Sequence, residues 1–325
     1  MKIYTLSICG RITLDLHNLN NEGTEGNQQL TRMVSVVVHN NGTPVVRTVN
    51  AISGDMFKHI QAEHLHKIAL EQHAKDAAKF PLSNGAKVFD ANRINSRGDQ
   101  EFFSDFGSKD NAEALSAVLR ACAVTDLEGT LITAEGRSLP RKSCVEFGWV
   151  VGLPDLTKTD SLFHVKYDPR GRGEGAGAGE NIGQAIFHRP LNSGVYAVVA
   201  HVEVVRVGRN DITLEYVIDD SQRLLRSQAL LQSAWHTFVK TSGAQRNTQH
   251  PHMVSFDGAI AISTQSSVPA PTSSPLADSY REELEGTAQA LNRLSPNAVA
   301  VKRFATQAEF GSVMADLIQS FEVPN

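Results

Sequence analysis

The sequence predicts an α+β fold with a ferredoxin-like core. Three observations carry this. Short β-patterned runs and amphipathic helices follow one another in the order β, loop, β-β, α, insertion, β, insertion, β-β, α, β. Within residues 144–153, Val145, Phe147, Trp149 and Val151 alternate with Glu146 and Gly148, the period of a half-buried strand. Within residues 54–79, Phe57, Ile60, Leu65 and Ile68 share one helical face, while His59, His66 and His73 lie nearly opposite. The helices are expected on one face of the sheet.

The first run carries Ile3, Leu6, Ile8, Ile12 and Leu14. The following loop, LHNLNNEGTEGNQQL over residues 16–30, is too polar to bury. Residues 32–38 and 45–52 read as two strands joined by a turn at residues 40–44. Ser53 is a suitable N-cap for the first helix. The free N–H groups there, with Lys58 nearby, suit a phosphate, although from this helix alone an ordinary capped helix is the readier explanation.

Residues 80–107, punctuated by Pro and Gly, read as loops with a short strand at 87–89, and residues 111–122 as a helix. Residues 155–193 hold Lys158, Lys166, Arg170, Arg172 and Arg189 around the run GRGEGAGAG at 171–179. A run that cannot hold one backbone conformation cheaply reads as a mobile hairpin tip or as a plain surface insertion. It fits neither a G-x-G-x-x-G nor a P-loop pattern, so a dinucleotide site is not supported. Residues 195–207 and 211–218 read as a β pair joined by Gly208-Arg209-Asn210. Residues 221–240 read as a helix, 242–252 as a polar loop, 253–263 as a returning strand and 264–279 as a Ser/Pro-rich linker or exposed loop. Two amphipathic helices close the chain, the second opened by the capping box Thr306-x-x-Glu309.

At 325 residues the chain has room for one elaborated domain or two ordinary ones. With 41% hydrophobic and 20% charged residues it is a soluble globular protein. The net charge of −4 excludes coating of nucleic acid by bulk charge but not a local basic groove. Cys9, Cys122 and Cys144 are widely spaced, which suggests buried reduced thiols in a cytoplasmic protein rather than disulfides or a zinc site. No cleavable leader or membrane-length apolar stretch is evident. Twelve histidines give no complete metal-ligand set, so neither a metal nor another cofactor is expected.

Several strings in fixed order resemble one family: LDLHNLNNEGTEGN, ISGDMFKHIQAEHL, CAVTDLEGTLIT, VEFGWVVGLPD, RPLNSGVYAVVAHVEV and TSGAQRNTQHPH. Together they span roughly residues 1–263 and are similar to the DevR-like family, backbone subunits of CRISPR type I Cascade complexes in the RAMP superfamily. The resemblance implies an RRM-like palm (1–79, 144–154 and 194–263) without the usual aromatic RNA motif. It further implies an inserted helical region (80–143), a protruding β-hairpin thumb (155–193), and a linker with C-terminal helices (264–325).

The implied function is non-catalytic. The protein would polymerise along CRISPR guide RNA and support pairing with a target DNA strand in antiviral defence. Its partners would be neighbouring copies of itself and the large, small and guide 5′-end-capping subunits, with no membrane. The expected RNA contacts are Asn20, Asn21, Asn27 and Arg32 on the first loop; Ser53, Gly54, Lys58 and His59 at the helix start; Gly243, Ala244, Gln245 and Arg246 on the later loop; and Lys166, Arg170 and Arg172 on the thumb. Two other readings stay open. One is a metal-independent repeat-processing RNA endonuclease of the same superfamily, although the glycine run is mid-chain rather than C-terminal and the match is to the type I kind. The other is a small-molecule enzyme on a ferredoxin-like fold.

Overall fold

A computed structural model describes residues 1–40, 42–167 and 184–324. The chain opens with β1 (Thr5–His17), the short hairpin β2 (Asn21–Glu25) and β3 (Gln28–Thr31), and the hairpin β4 (Met33–Asn40) and β5 (Thr43–Ile52). Helix α1 (Gly54–Lys75) follows. Next come α2 (Asn84–Lys87), α3 (Asn111–Ala121), α4 (Ala123–Glu128) and the small hairpin β6 (Thr130–Ile132) and β7 (Leu139–Arg141). Then come β8 (Val145–Phe147), β9 (Val150–Tyr167), β10 (Gln184–Val202), α5 (Asp220–Val239) and β11 (His252–Ser263). The chain ends with α6 (Tyr280–Leu294), β12 (Val299–Phe304) and α7 (Gln307–Gln319).

The main sheet runs β12-β11-β1-β10-β9-β5-β4. Its centre, β11-β1-β10-β9, is antiparallel throughout. Counted along the βαββαβ unit, with α1 and α5 as the two crossovers, this is the 4-1-3-2 order of a ferredoxin-like fold, the class the sequence predicts. Leu6, Ile8, Ile12 and Leu14 of β1 point into one core with Phe57 and Leu65 of α1 and Leu230 and Phe238 of α5. The alternate residue Cys9 points to the other face.

That second face is where expectation and structure part. Tyr280 and Leu284 of α6 cover Cys9, Ala259 and Ala261, so the helices are not confined to one side. Residues 264–279 lie against the same face, with Val268 and Ala270 buried and the Ser7 hydroxyl bonded to the Ala270 carbonyl at 3.1 Å. Strand β12 is an addition the sequence reading lacks. It extends the edge at β11 through six residue pairs from Gly258↔Phe304 to Ser263↔Val299.

The pair read at 195–207 and 211–218 does not form. Residues up to Val202 belong to β10, and the next segment is a loop closed by the single bridge Arg209↔Tyr216. Asn210 explains it: buried, its side chain donates to Ala112 O (2.8 Å) and Ser116 Oγ (2.7 Å) and accepts from Ile212 N (2.8 Å). Those bonds replace a ladder. The short strand read at 87–89 is instead the end of α2, followed by Phe89 in a left-handed conformation at φ 59°.

The region between α1 and β8 is fastened by a buried ion cluster. Asp126 accepts from Arg141 at 2.7 Å and Arg226 at 2.9 Å, with all three side chains fully buried. The Gly208 N–H completes the carboxylate's partners at 2.9 Å. The three cysteines are free and buried. No helix among the described residues is long and apolar enough to cross a membrane.

Candidate nucleic-acid interface

The polar loop after β1 is the hub of the site, and its beginning is buried rather than solvated. Leu16 takes φ 56°, and the register between β1 and β10 shifts between Leu14 and His17. This bulge turns His17 inward. His17, Asn18, Leu19 and Asn20 are then all buried.

A chain of hydrogen bonds stabilises most of them. The Leu19 N–H donates to His17 Nδ1 (3.4 Å), so Nε2–H faces the Tyr196 hydroxyl (3.0 Å), which donates to Asn50 Oδ1 (2.8 Å). Asn50 Nδ2 donates to Thr31 Oγ1 (3.1 Å) and Arg32 O (3.0 Å), and Thr31 Oγ1 donates to Asn20 O (3.1 Å). Asn192 of β10 joins through His17 O and Thr31 Oγ1, both at 3.3 Å, and accepts from Thr159 of β9 at 2.8 Å. Burial pushes His17 down to about 3, so it is neutral in this network. The network ties the first loop to the foot of the β9–β10 hairpin.

The other expected segments meet this hub. Asn20 Oδ1 accepts the Ser53 N–H at 2.8 Å, and Ser53 Oγ accepts from Met56 N at 3.2 Å as the predicted cap. A Cβ at Gly54 would overlap the Phe147 carbonyl, so only glycine lets the helix start lie against the end of β8. The later loop arrives on the other side. Ala244 N–H donates to Leu19 O at 3.2 Å, and a Cβ on Gly243 would stand 2.6 Å from that same oxygen. Gln245 reaches Gln29 at 3.5 Å, and Gln249 Nε2 donates to Pro190 O of β10 at 2.8 Å. Asn27 is exposed, and its carbonyl accepts from His188 N of β10 at 2.8 Å. Asn21 is half-buried at the start of β2. Arg32 pairs with Glu22 at 3.0 Å.

Two expected residues stand apart. Lys58 does not face the loop: it is paired with the buried carboxylate of Glu128 and bonds Gln61 Oε1 at 3.2 Å. It lines a separate cavity of about 370 Å³ with His59, Phe89, Arg93 and Glu128. The helix start and Lys58 therefore do not form one phosphate cradle. His59 is half-exposed, 3.0 Å from Glu63, which also pairs with the exposed Arg246. Arg246 borders a cavity of about 450 Å³ with Glu63, His64, Lys67, Lys240 and His250, where three cations face one carboxylate. The other histidines of α1 are partly covered. His66 Nε2 donates to Lys87 O at 3.1 Å, and His73 Nδ1 donates to Phe80 O at 2.9 Å.

The β9–β10 hairpin continues past the sheet. Its pairs run from Ala197↔Val151 out to Gln184↔Tyr167, with a register shift between Gly194 and Tyr196. The backbone of Lys166 pairs with Ala185 near the outer end. Seven residues separate it from Thr159, about 23 Å along the strand. Arg170, Arg172 and the glycine run at 171–179 lie outside the described residues.

One residue at the hub escaped the sequence reading. Trp149 fits the inward alternation of residues 144–153, yet it is 45% exposed. The chain breaks between β8 and β9 at Gly148-Trp149, and the alternation does not carry across. Arg32 stands over the indole with its guanidinium carbon 5.6 Å from the ring centroid. In the sequence only the glycine before the tryptophan, a residue that can interrupt a strand, hinted at this. Among the described residues no group of His, Cys, Asp and Glu is arranged to hold a metal.

Comparison with known proteins adds the following. Residues 8–285 match the model of a family described as "CRISPR-associated negative auto-regulator DevR/Csa2". No curated protein matches the chain. A chain of a "CRISPR RNA-guided surveillance complex, pre-nicking" shares the fold at TM-score 0.50 and 12% identity, over 96% of this chain and 99% of that one. A chain of a "CRISPR RNA-guided surveillance complex" gives TM-score 0.46 and 12% identity, over 97% and 99%.

Proposed function

This chain belongs to the CRISPR-associated DevR/Csa2 family, and we propose that it is a non-catalytic backbone subunit of a type I Cascade complex that polymerises along guide RNA in the cytoplasm. Its partners are then the guide, the target DNA strand paired to it, neighbouring copies, and the large, small and guide-end-capping subunits. The observation that carries this reading is convergence. Residues 19–32, 53–54 and 243–246 are far apart in sequence and meet at the foot of a projecting hairpin. Such a surface offers amides, hydroxyls, main-chain N–H groups and scattered cations, which suits a phosphate backbone held without reading its sequence. The likeness in fold to a chain of an RNA-guided complex supports it.

Within this reading Asn20, Ser53 and the buried Gly243 shape the surface, while Asn21, Asn27, Arg32, Ala244, Gln245 and Arg246 face the guide. Lys166, Arg170 and Arg172 act from the hairpin. The hairpin of one copy then reaches over the groove of the next, a head-to-tail contact that propagates as an open helix rather than closing.

Purification after co-expression with a repeat–spacer transcript tests this. RNA of uniform length, bound by several copies of the chain, is expected. Repeat RNA cut by the isolated chain would replace the reading with the endonuclease, and absence of nucleic acid would remove both.

A further inference from the structure

We propose that Trp149 is a base-stacking platform, so that one nucleobase of a bound single strand lies on its indole while Arg32 takes the flanking phosphate; this rests on the RNA-binding reading above. A tryptophan in a β-patterned string is ordinarily core. Here its neighbours are: Val145 and Val150 are buried, and Trp149 between them is 45% exposed. The exposure is built by the backbone. The Phe147 and Gly148 carbonyls crowd Gly54 at the start of α1, while Gly148 N–H stays on Val199 O at 2.9 Å. Residue 149 is thereby left on the surface beside the junction of β5 and α1.

Its surroundings match what a single strand requires. Arg32, 5.6 Å from the indole centroid, is held by Glu22 at 3.0 Å and keeps a third of its side chain accessible. Arg32 O accepts from Asn50 and from Ala51 N, so the arginine backbone is fixed to the hub. The Asn20–Ser53 junction is anchored to the same strands. An aromatic face, a guanidinium and amide groups together bind any base with its phosphate, because every base has a π face. The other exposed large aromatics among the described residues lie elsewhere. Phe89 packs on His59 and His66, and Phe163 is out on the hairpin against His188. The ligand class is therefore a single-stranded nucleic acid without sequence preference at this position.

The full-length chain is titrated with single-stranded RNA oligonucleotides of two unrelated sequences. Indole emission and mobility shift are followed together. The expected result is an emission change that tracks binding for both RNAs. It disappears in W149F, which retains the half-buried Trp235. W149A should lose roughly 5- to 150-fold in affinity for both RNAs, the range for one lost stacking contact, and W149F should lose little. RNA binding with an emission change that persists in W149F, or with none at all, overturns the platform and leaves the RNA-binding reading standing. Failure of the wild-type chain to bind RNA overturns both. Should W149A not fold, the emission comparison with W149F decides alone.

Discussion

Asn20 and Ser53, thirty-three residues apart, share one hydrogen bond: the amide oxygen of Asn20 accepts the Ser53 N–H at 2.8 Å. Ser53 is also the N-cap of α1, with its hydroxyl accepting from Met56 N. The first loop and the first helix are thus one unit, and whatever moves the loop moves the helix start. The same loop carries Leu19, whose carbonyl takes the Ala244 N–H. Three segments are aligned through a few buried polar atoms, alongside the main core that Leu19 shares with Ile52 and Phe57.

Asn20→Ala is therefore expected to cost about 1–3 kcal/mol, since it leaves the Ser53 N–H without its acceptor. Asn27→Ala, at an exposed position on the same loop, should stay within about 0.5 kcal/mol. Urea unfolding of the two variants checks this. If both side chains are equally dispensable, the loop is not held as described. If Asn27 faces the guide, its variant should bind RNA less tightly at unchanged stability.

Lys58 gives the opposite pattern. Its partner Glu128 has a side chain only 1% exposed, so Lys58→Ala strands a buried carboxylate at a cost of about 3–5 kcal/mol. Pairing it with Glu128→Gln should recover most of that loss. RNA affinity of the folded double variant, and its dependence on salt, should match the wild type, because Lys58 is engaged away from the hub. A salt slope reduced by about one unit would instead mark Lys58 as a phosphate ligand.

These two residues show what was legible in the sequence. Periodicity is local, and it placed α1, α5, α7, the β4–β5 hairpin and the first and last core strands, β1 and β11. Ser53 as a cap was legible for the same reason. Lys58 and Trp149 were misread because their environments come from distant chain: Glu128 from α4, and the strand break set against Gly54. The burial of residues 17–20 was hidden because a polar string reads as solvated unless its partners are known. Asn50 lies on β5, and Tyr196 and Asn192 both lie on β10. Strand β12 was missed because its six residues, VAVKRF, alternate only weakly.

His17 makes a pH prediction. Its folded value of about 3 lies below the ordinary 6.5, with burial as the cause. Between those limits the unfolded chain binds one proton more, so stability is complete above 6.5 and falls as pH drops toward 3. This single group contributes a slope of at most about 1.4 kcal/mol per pH unit. His64, His201 and His236 are also pushed down by burial and add to the wild-type slope. His17→Gln keeps an N–H for Tyr196 and cannot titrate, so its stability should depend on pH less steeply by about one proton. Urea midpoints at pH 4.5, 5.5 and 7 measure the difference, and parallel curves would contradict a neutral buried His17.

The last prediction concerns α7, which belongs to the main core. Phe310 packs its ring against Phe238, Phe256 and Phe304 at centroid distances of 5.6, 4.9 and 5.0 Å. Phe238 comes from α5, Phe256 from β11 and Phe304 from β12, so the helix seals a joint among three elements. Met314, Leu317 and Phe321 continue the stripe and are buried, with Val313 half-buried beside them. Leu317 is 5% exposed. Leu317→Ala removes three buried heavy atoms from the main core and leaves a cavity, at a cost of about 2–5 kcal/mol. Because α7 shares its core with α5 and β11, denaturant unfolding should remain one transition displaced to lower midpoint with its slope unchanged. A separate early transition, or a change below about 0.5 kcal/mol, would mean that α7 does not share the main core as described.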